Sequence, residues 1–285
     1  MIPSTFDYVR PKTVDEAVAA LKQGDDDSKV IAGGQSMLPL LRMRLASPSI
    51  LVDCGRIGEM RGIKESSDAI TIGAATTHHE VLTNDLVGQY AELLALTTAT
   101  VADPQVRHRG TFGGALAHGD PAGDLPAVAL VMNATMEIAG FGGRRKVAAK
   151  DFFVDYFTTA VGPGEVLVSI SIPKMGSDWS VHYEKFNRTA QGWAIVGVAA
   201  AVRLEGKKIA EARVGLTNVA PVPMRAGKVE AALTGAEATL ATIQKASELA
   251  TDGTHPTSDL HAAADYREHL MRVLTARALA KAADL

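Results

Sequence analysis

The segment VRHRGTFGGALAHGDPAGDLP (106–126) puts five glycines, two aspartates, two arginines and two histidines into twenty-one positions. So much glycine suits either a loose surface loop or a backbone that must come close to a ligand, where side chains would obstruct. A second glycine pair, Gly33-Gly34, follows Ile31-Ala32 and precedes Gln35 and Ser36, directly after the β-branched run KVI. Consecutive glycines before an amide or hydroxyl side chain can turn several backbone N–H groups into one anion-binding concavity. Ser36 and Thr111 each add a hydroxyl donor for a phosphate oxygen. One such pair alone reads as a turn. Two of them, far apart in the chain, can clasp a pyrophosphate, which carries oxygens on both sides.

Asp124 has two compatible readings. It caps the helix LPAVALVMNA, or its carboxylate accepts hydrogen bonds from sugar-like hydroxyls. Trp193 opens the apolar strand AIVGVAAAV, where an aromatic ring belongs to the core or covers a planar cofactor. His108 and His118 have no carboxylate-and-serine constellation around them, so no catalytic residue is assigned. His78 and His79 are neighbours, which point to different sides of a helix or strand, and no metal site is expected there. Arg42 and Arg44 read as surface residues, and Arg144-Arg145-Lys146 as a solvated strand edge. The sequence contains no GxxxxGK[ST], no GxGxxG after a strand, no HExxH and no GxSxG.

These segments need elements to hold them. Thr13 and Glu16 match a capping box that starts a helix running to about Gly24. KVIAGG, SILVDC and AITIGAATT read as strands, LLRMRL as helical, and residues 78–102 as helical. LPAVALVMNA (125–134) is a helix with Pro126 in its first turn. TMEIAG and RRKVAA pair around FGG, and EVLVSISIP (165–173) is a further strand. Beyond Lys174, VHYEKF, AIVGVAAAVRL and KKIAEARVGLTNVA give three strands, the last two joined by a hairpin, and the remainder is helical.

The 285 residues are 47% hydrophobic with a net charge of −3, which leaves no long-range attraction to nucleic acid or acidic membranes. Aromatics at 5% argue against base-stacking surfaces. The single cysteine, Cys54, reads as a small buried hydrophobe and excludes an internal disulfide or a cysteine-built cluster in this chain. No signal pattern opens the chain and its longest apolar run is far too short to span a bilayer, so cytoplasmic residence is the default expectation.

AGGQS at 32–36, then Leu40-Leu41-Arg42 and SPSILVD, together with RHRGTFGGALAHGDPAGDLP, resemble the two flavin-pyrophosphate segments of the FAD-binding subunits of molybdenum hydroxylases. Ile2, Pro3, Phe6 and Tyr8, and YEKFNR at 183–188, fit the same pattern. Within that family the pattern is nearest the medium subunits of aerobic carbon monoxide dehydrogenases. The resemblance implies an α+β chain: a two-lobed FAD-binding domain of the vanillyl-alcohol oxidase type over 1–175, its lobes divided near 55–60, then a C-terminal α+β domain over 176–285 with a three-stranded antiparallel sheet and helices. It implies non-covalent FAD, its diphosphate held by the backbone of Ala32, Gly33, Gly34, Gln35 and Ser36 and of Thr111, Phe112, Gly113 and Gly114. Asp124 would contact the flavin's sugar-like chain, Lys185 would approach the isoalloxazine, and Trp193 stands where relatives often place a tyrosine beside the ring.

The implied role is electron transfer, from [2Fe–2S] clusters on a small partner subunit to FAD and on to a quinone or other acceptor. Molybdopterin would sit on a large partner subunit, in a dimer of heterotrimers with at most peripheral membrane association. A xanthine-, nicotine- or aldehyde-type dehydrogenase, a flavin-free docking subunit and a free-standing oxidase are the competing readings.

Overall fold

The computed structural model describes residues 2–24 and 27–285. The chain opens with β1 (Asp7–Val9), α1 (Val14–Gln23), β2 (Lys29–Ile31), α2 (Met37–Arg42) and β3 (Ile50–Asp53). The strands form a parallel sheet in the order β1-β3-β2. Thr13 caps α1 by accepting from the Glu16 amide at 3.1 Å, while the Glu16 carboxylate reaches back to the Lys12 amide at 2.7 Å. Tyr8 of β1 is tied to Asp53 of the central strand β3, the phenol donating to the carboxylate at 2.5 Å. Beyond Arg42 the helical reading of LLRMRL fails: Met43 ends α2 and Arg44 turns to a φ of 58°. Arg42 and Arg44 are both exposed, and Arg44 holds the Ile2 carbonyl at 3.3 Å.

A second, antiparallel sheet follows. Its strands are β4 (Ile63–Glu65), β5 (Ala69–Gly73), β6 (Thr135–Gly140), β7 (Gly143–Ala148) and, further on, β10 (Val166–Pro173), in the order β4-β5-β10-β6-β7. Between β5 and β6 lie six helices: α3 (His78–Leu82), α4 (Asp85–Tyr90), α5 (Glu92–Ala99), α6 (Pro104–Arg107), α7 (Phe112–His118) and α8 (Asp124–Val131). After β7 come α9 (Ala149–Phe152) and a hairpin of β8 (Phe153–Asp155) and β9 (Thr158–Thr159). The β6–β7 hairpin forms as expected, and its edge arginines are ion-paired: Arg144 with Glu59, and Arg145 with Glu165 at 2.6 Å.

The C-terminal part carries three long antiparallel strands, β11 (Trp179–Phe186), β12 (Val196–Glu205) and β13 (Lys208–Thr217), plus the two-residue β14 (Met224–Arg225). Helices α10 (Gly227–Leu233), α11 (Leu240–Ser247) and α12 (Ala264–Ala282) cover one face of this sheet. Helix α8 packs on its other face, with all eight of its residues buried. A Cβ on Gly215 would lie 2.7 Å from the Ala127 carbonyl oxygen, so that glycine lets β13 close on α8. Alternation along β12 and β13 sends one set of side chains to the helices and the other toward α8.

Candidate cofactor site

One cavity of about 890 Å³ opens where these units meet. Its wall is built from the loop after β2, the loops before α6 and α7, the N-terminus of α8, the β9 region, and the end of β11 with the loop after it. The two glycine segments touch there. A Cβ on Gly33 would lie 2.1 Å from the Arg109 carbonyl oxygen and 2.8 Å from the Gly110 Cα, so only glycine permits the approach.

The first segment offers its backbone to the cavity. Gly34 sits at φ +78°, and among the described residues no acceptor takes the N–H of Gly33, Gly34, Gln35 or Ser36. Ala32, Gly33, Gly34, Gln35 and Ser36 all line the wall, and the Gln35 amide folds back on the Gly33 carbonyl at 3.2 Å. Unspent amides around a left-handed residue make an anion nest.

The second segment is built differently. Three of its four N–H groups are already given away: Phe112 to the Thr76 carbonyl at 3.0 Å, Gly113 to the Ala74 carbonyl at 3.0 Å, and Gly114 to the Thr111 hydroxyl at 3.1 Å, while the Thr111 N–H meets no acceptor among the described residues. Phe112 is fully buried and, like Gly113, is not part of the wall. Gly113 is there for packing, since a Cβ would meet the Ala74 Cβ at 2.3 Å. Thr111 and Gly114 do face the cavity.

Asp124 does not cap α8. Gly123 occupies that position without a side-chain bond, and Asp124 is the first helical residue. Its carboxylate, 5% exposed, accepts from the Tyr183 hydroxyl at 2.7 Å and from the Lys185 ammonium at 2.8 Å. Lys185 also donates to the Thr100 carbonyl at 3.2 Å. Burial pushes the Asp124 carboxyl up from the ordinary range, against Lys185 and Tyr183, which pull it down, and burial drives the Tyr183 phenol well above its ordinary value. Trp193 is not in a strand: β12 starts at Val196, and the indole, 60% exposed, stands in the preceding loop at the cavity rim. That loop is pinned by Asn218 to the Ala194 carbonyl at 2.7 Å and by the buried Arg267 to the Ile195 carbonyl.

Sequence reading missed His78, Tyr183 and the Thr100 carbonyl. His78 is buried in the wall beside Gly110, and burial, followed by Arg107, lowers its imidazole to about 4, so it is neutral. His79 turns away and stacks on His108 at 3.9 Å. Tyr183 had a signal: it lies two residues before Lys185, hence on the same face of the strand. Cys54 is buried, its thiol pushed up to about 12 by burial and Asp53, which makes it inert.

Two family models divide the chain between them. The FAD binding domain in molybdopterin dehydrogenase matches residues 4–175, and the CO dehydrogenase flavoprotein C-terminal domain matches residues 181–282. The chain belongs to the family of FAD-binding subunits of molybdopterin dehydrogenases. The carbon monoxide dehydrogenase medium chain of Hydrogenophaga pseudoflava is 39% identical, with 98% of this chain and 97% of the relative covered. The glyceraldehyde dehydrogenase medium chain of Sulfolobus acidocaldarius is 35% identical, with 99% of this chain and 100% of the relative covered. The solved structure of the H. pseudoflava carbon monoxide dehydrogenase lacking the Mo-pyranopterin moiety superposes with a TM-score of 0.97 at 40% identity, covering 99% of this chain and 98% of that one. This flavin-subunit family is therefore where the chain's oxidoreductase function lies, with FAD as its cofactor.

The residues present fit that cofactor. The four unspent amides at 33–36 suit a diphosphate, and the cavity has the size of a large elongated ligand. No helix among the described residues is long and apolar enough to cross a membrane.

Proposed function

We propose that this chain is the flavin subunit of a heterotrimeric molybdenum hydroxylase, best matched to a carbon monoxide-oxidising complex. It takes electrons from [2Fe–2S] clusters on a small partner subunit and passes them to a quinone or another acceptor. Molybdopterin belongs to a large partner subunit, the whole assembles as a dimer of heterotrimers, and the complex resides in the cytoplasm, at most touching the inner face of the membrane.

The observation that carries this reading is the pairing of a diphosphate nest with a fixed ammonium in one cavity, in a chain with a single, buried cysteine. Such a chain can hold a flavin but not a cysteine-ligated cluster. FAD, when bound, supplies the chemistry of accepting and releasing electrons. The protein's own residues bind and orient: the backbone of Gly33 to Ser36 receives the diphosphate, Thr111 and Gly114 form the opposing wall, Lys185 presents a charge to the ring, and Trp193 shields its rim. None of them acts as acid, base or nucleophile on the complex's primary substrate.

A second reading keeps the flavin and changes the complex. A 6-hydroxypseudooxynicotine dehydrogenase subunit and the glyceraldehyde dehydrogenase medium chain are each 35% identical over nearly the full chain, so an aldehyde- or nicotine-type complex stands close behind. A flavin-free docking subunit is disfavoured by the intact Gly33 and Gly34, which line the cavity.

The test is to purify the chain gently from its native host and identify the released cofactors and co-purifying chains. Non-covalent FAD with a cysteine-rich small subunit and a molybdopterin-bearing large subunit is the expected result. A lone flavin-bearing chain would indicate a free-standing oxidase, and a complex without flavin a docking subunit. Turnover of carbon monoxide against an aldehyde by the same preparation then decides between the two complexes.

A further inference from the structure

Tyr183 and Lys185 project from the same face of β11, and each takes one oxygen of the same carboxylate. The Tyr183 hydroxyl donates to Asp124 Oδ1 at 2.7 Å and the Lys185 ammonium to Asp124 Oδ2 at 2.8 Å. The side chains of Lys185 and Asp124 are 7% and 4% exposed, and Tyr183 is equally buried. Space for the phenol is made by the neighbouring strand. Gly197 pairs with Lys185 across the ladder, and a Cβ there would lie 2.4 Å from the Tyr183 hydroxyl oxygen. Any larger residue at 197 would displace that hydroxyl from Asp124.

An ammonium has three donors. Lys185 gives one to Asp124 and one to the Thr100 carbonyl, at 3.2 Å, and the residue lines the cavity. The third is left for whatever fills the cavity. A buried carboxylate with a single donor would draw the ammonium wholly to itself, whereas a second donor on its other oxygen disperses its charge.

We infer that Tyr183 is a positioning residue for the flavin: by holding the other oxygen of Asp124 it keeps part of the Lys185 charge directed into the cavity, and so sets the reduction potential of bound FAD. Tyr183 itself touches no cofactor. Asp124 is thereby a counter-ion to Lys185 rather than a ligand of the flavin's sugar-like chain. The inference rests on the flavin reading, with Lys185 beside the ring. A cation there favours the reduced cofactor, which carries the added negative charge.

The experiment uses the FAD-loaded complex and measures flavin content per chain and flavin midpoint potential for wild type, Lys185→Met, Tyr183→Phe and Asp124→Asn. Lys185→Met should lower the potential most. Tyr183→Phe should lower it less, at wild-type flavin content, because Asp124 then offsets more of the Lys185 charge. Asp124→Asn keeps the shape and removes the negative charge, so the potential should rise. This opposite sign is what a merely structural role would not give. Flavin-loaded variants with wild-type potentials would overturn the inference and leave the flavin reading standing. Wild-type complex without FAD would remove both. Should Tyr183→Phe fail to assemble, Asp124→Asn alone decides, an unchanged or lower potential counting against the inference.

Discussion

The two glycine segments look alike in the sequence and are physically unlike in the fold. At 33–34 the glycines meet conformation and approach: Gly34 adopts φ +78°, and Gly33 lies against the backbone at Arg109. Their amides stay unspent. At 113–114 the amides are consumed by Ala74 and the Thr111 hydroxyl, and Gly113 exists to seat α7 against Ala74. The first segment therefore presents free donors to the cavity, and the second is chiefly a packing joint that supports the opposite wall. A doubled glycine reports only that a Cβ is unwelcome. It does not say whether a ligand or the protein itself occupies the space.

The largest effect that would break this contrast is at Gly113. Gly113→Asp should fail to fold, because its Cβ would overlap Ala74 and a carboxylate would be buried; the cost exceeds about 3 kcal/mol. Soluble yield and a thermal melt check it. A variant that melts at the wild-type temperature while losing FAD would make the two segments equivalent after all.

His78 sharpens the packing side, since its ring lies against Gly110. Its folded value of about 4 is below the ordinary histidine range, so the fold favours the neutral ring. That stability is fully present above about pH 6.5 and is lost as pH falls toward about 4, by roughly 3 kcal/mol at most. Melting temperatures between pH 7 and pH 4 should therefore fall more steeply for wild type than for His78→Leu. Parallel profiles would mean the ring is not buried neutral.

Gly34→Ala tests the cradle side. The left-handed conformation should cost about 1–2 kcal/mol of stability, and the variant should fold with reduced FAD content, measured as flavin released per chain. Full flavin content with normal spectra would remove the cradle from this segment. The smallest effect expected is at Thr111, which caps α7 through Gly114. Thr111→Val should lose about 1 kcal/mol, and Thr111→Ser should restore it in chemical denaturation.

Much of the fold was legible because local patterns carried it. Thr13 and Glu16 announced α1, the FGG turn announced the β6–β7 hairpin, and the link at 205–208 announced the β12–β13 hairpin. The misreadings fall where tertiary contacts overrule local chemistry. Asp124 has a cap's residue type in nearly a cap's position, yet its oxygens are taken by two donors from β11, some sixty residues away. Trp193 adjoins an apolar run, but the ladder begins only at Val196 because Asn218 and Arg267 pin the loop before it.

The sequence by itself determined the presence of two glycine segments, a single cysteine and the succession of elements, since composition and short-range periodicity depend on near neighbours along the chain. Only the tertiary structure decided that Gly33 meets Arg109, that the amides of one segment remain free while three of the other's four are spent, and that Asp124, Tyr183 and Lys185 form one buried set. Those outcomes depend on which distant groups compete for each donor and for each cubic ångström. A one-dimensional pattern does not contain that competition.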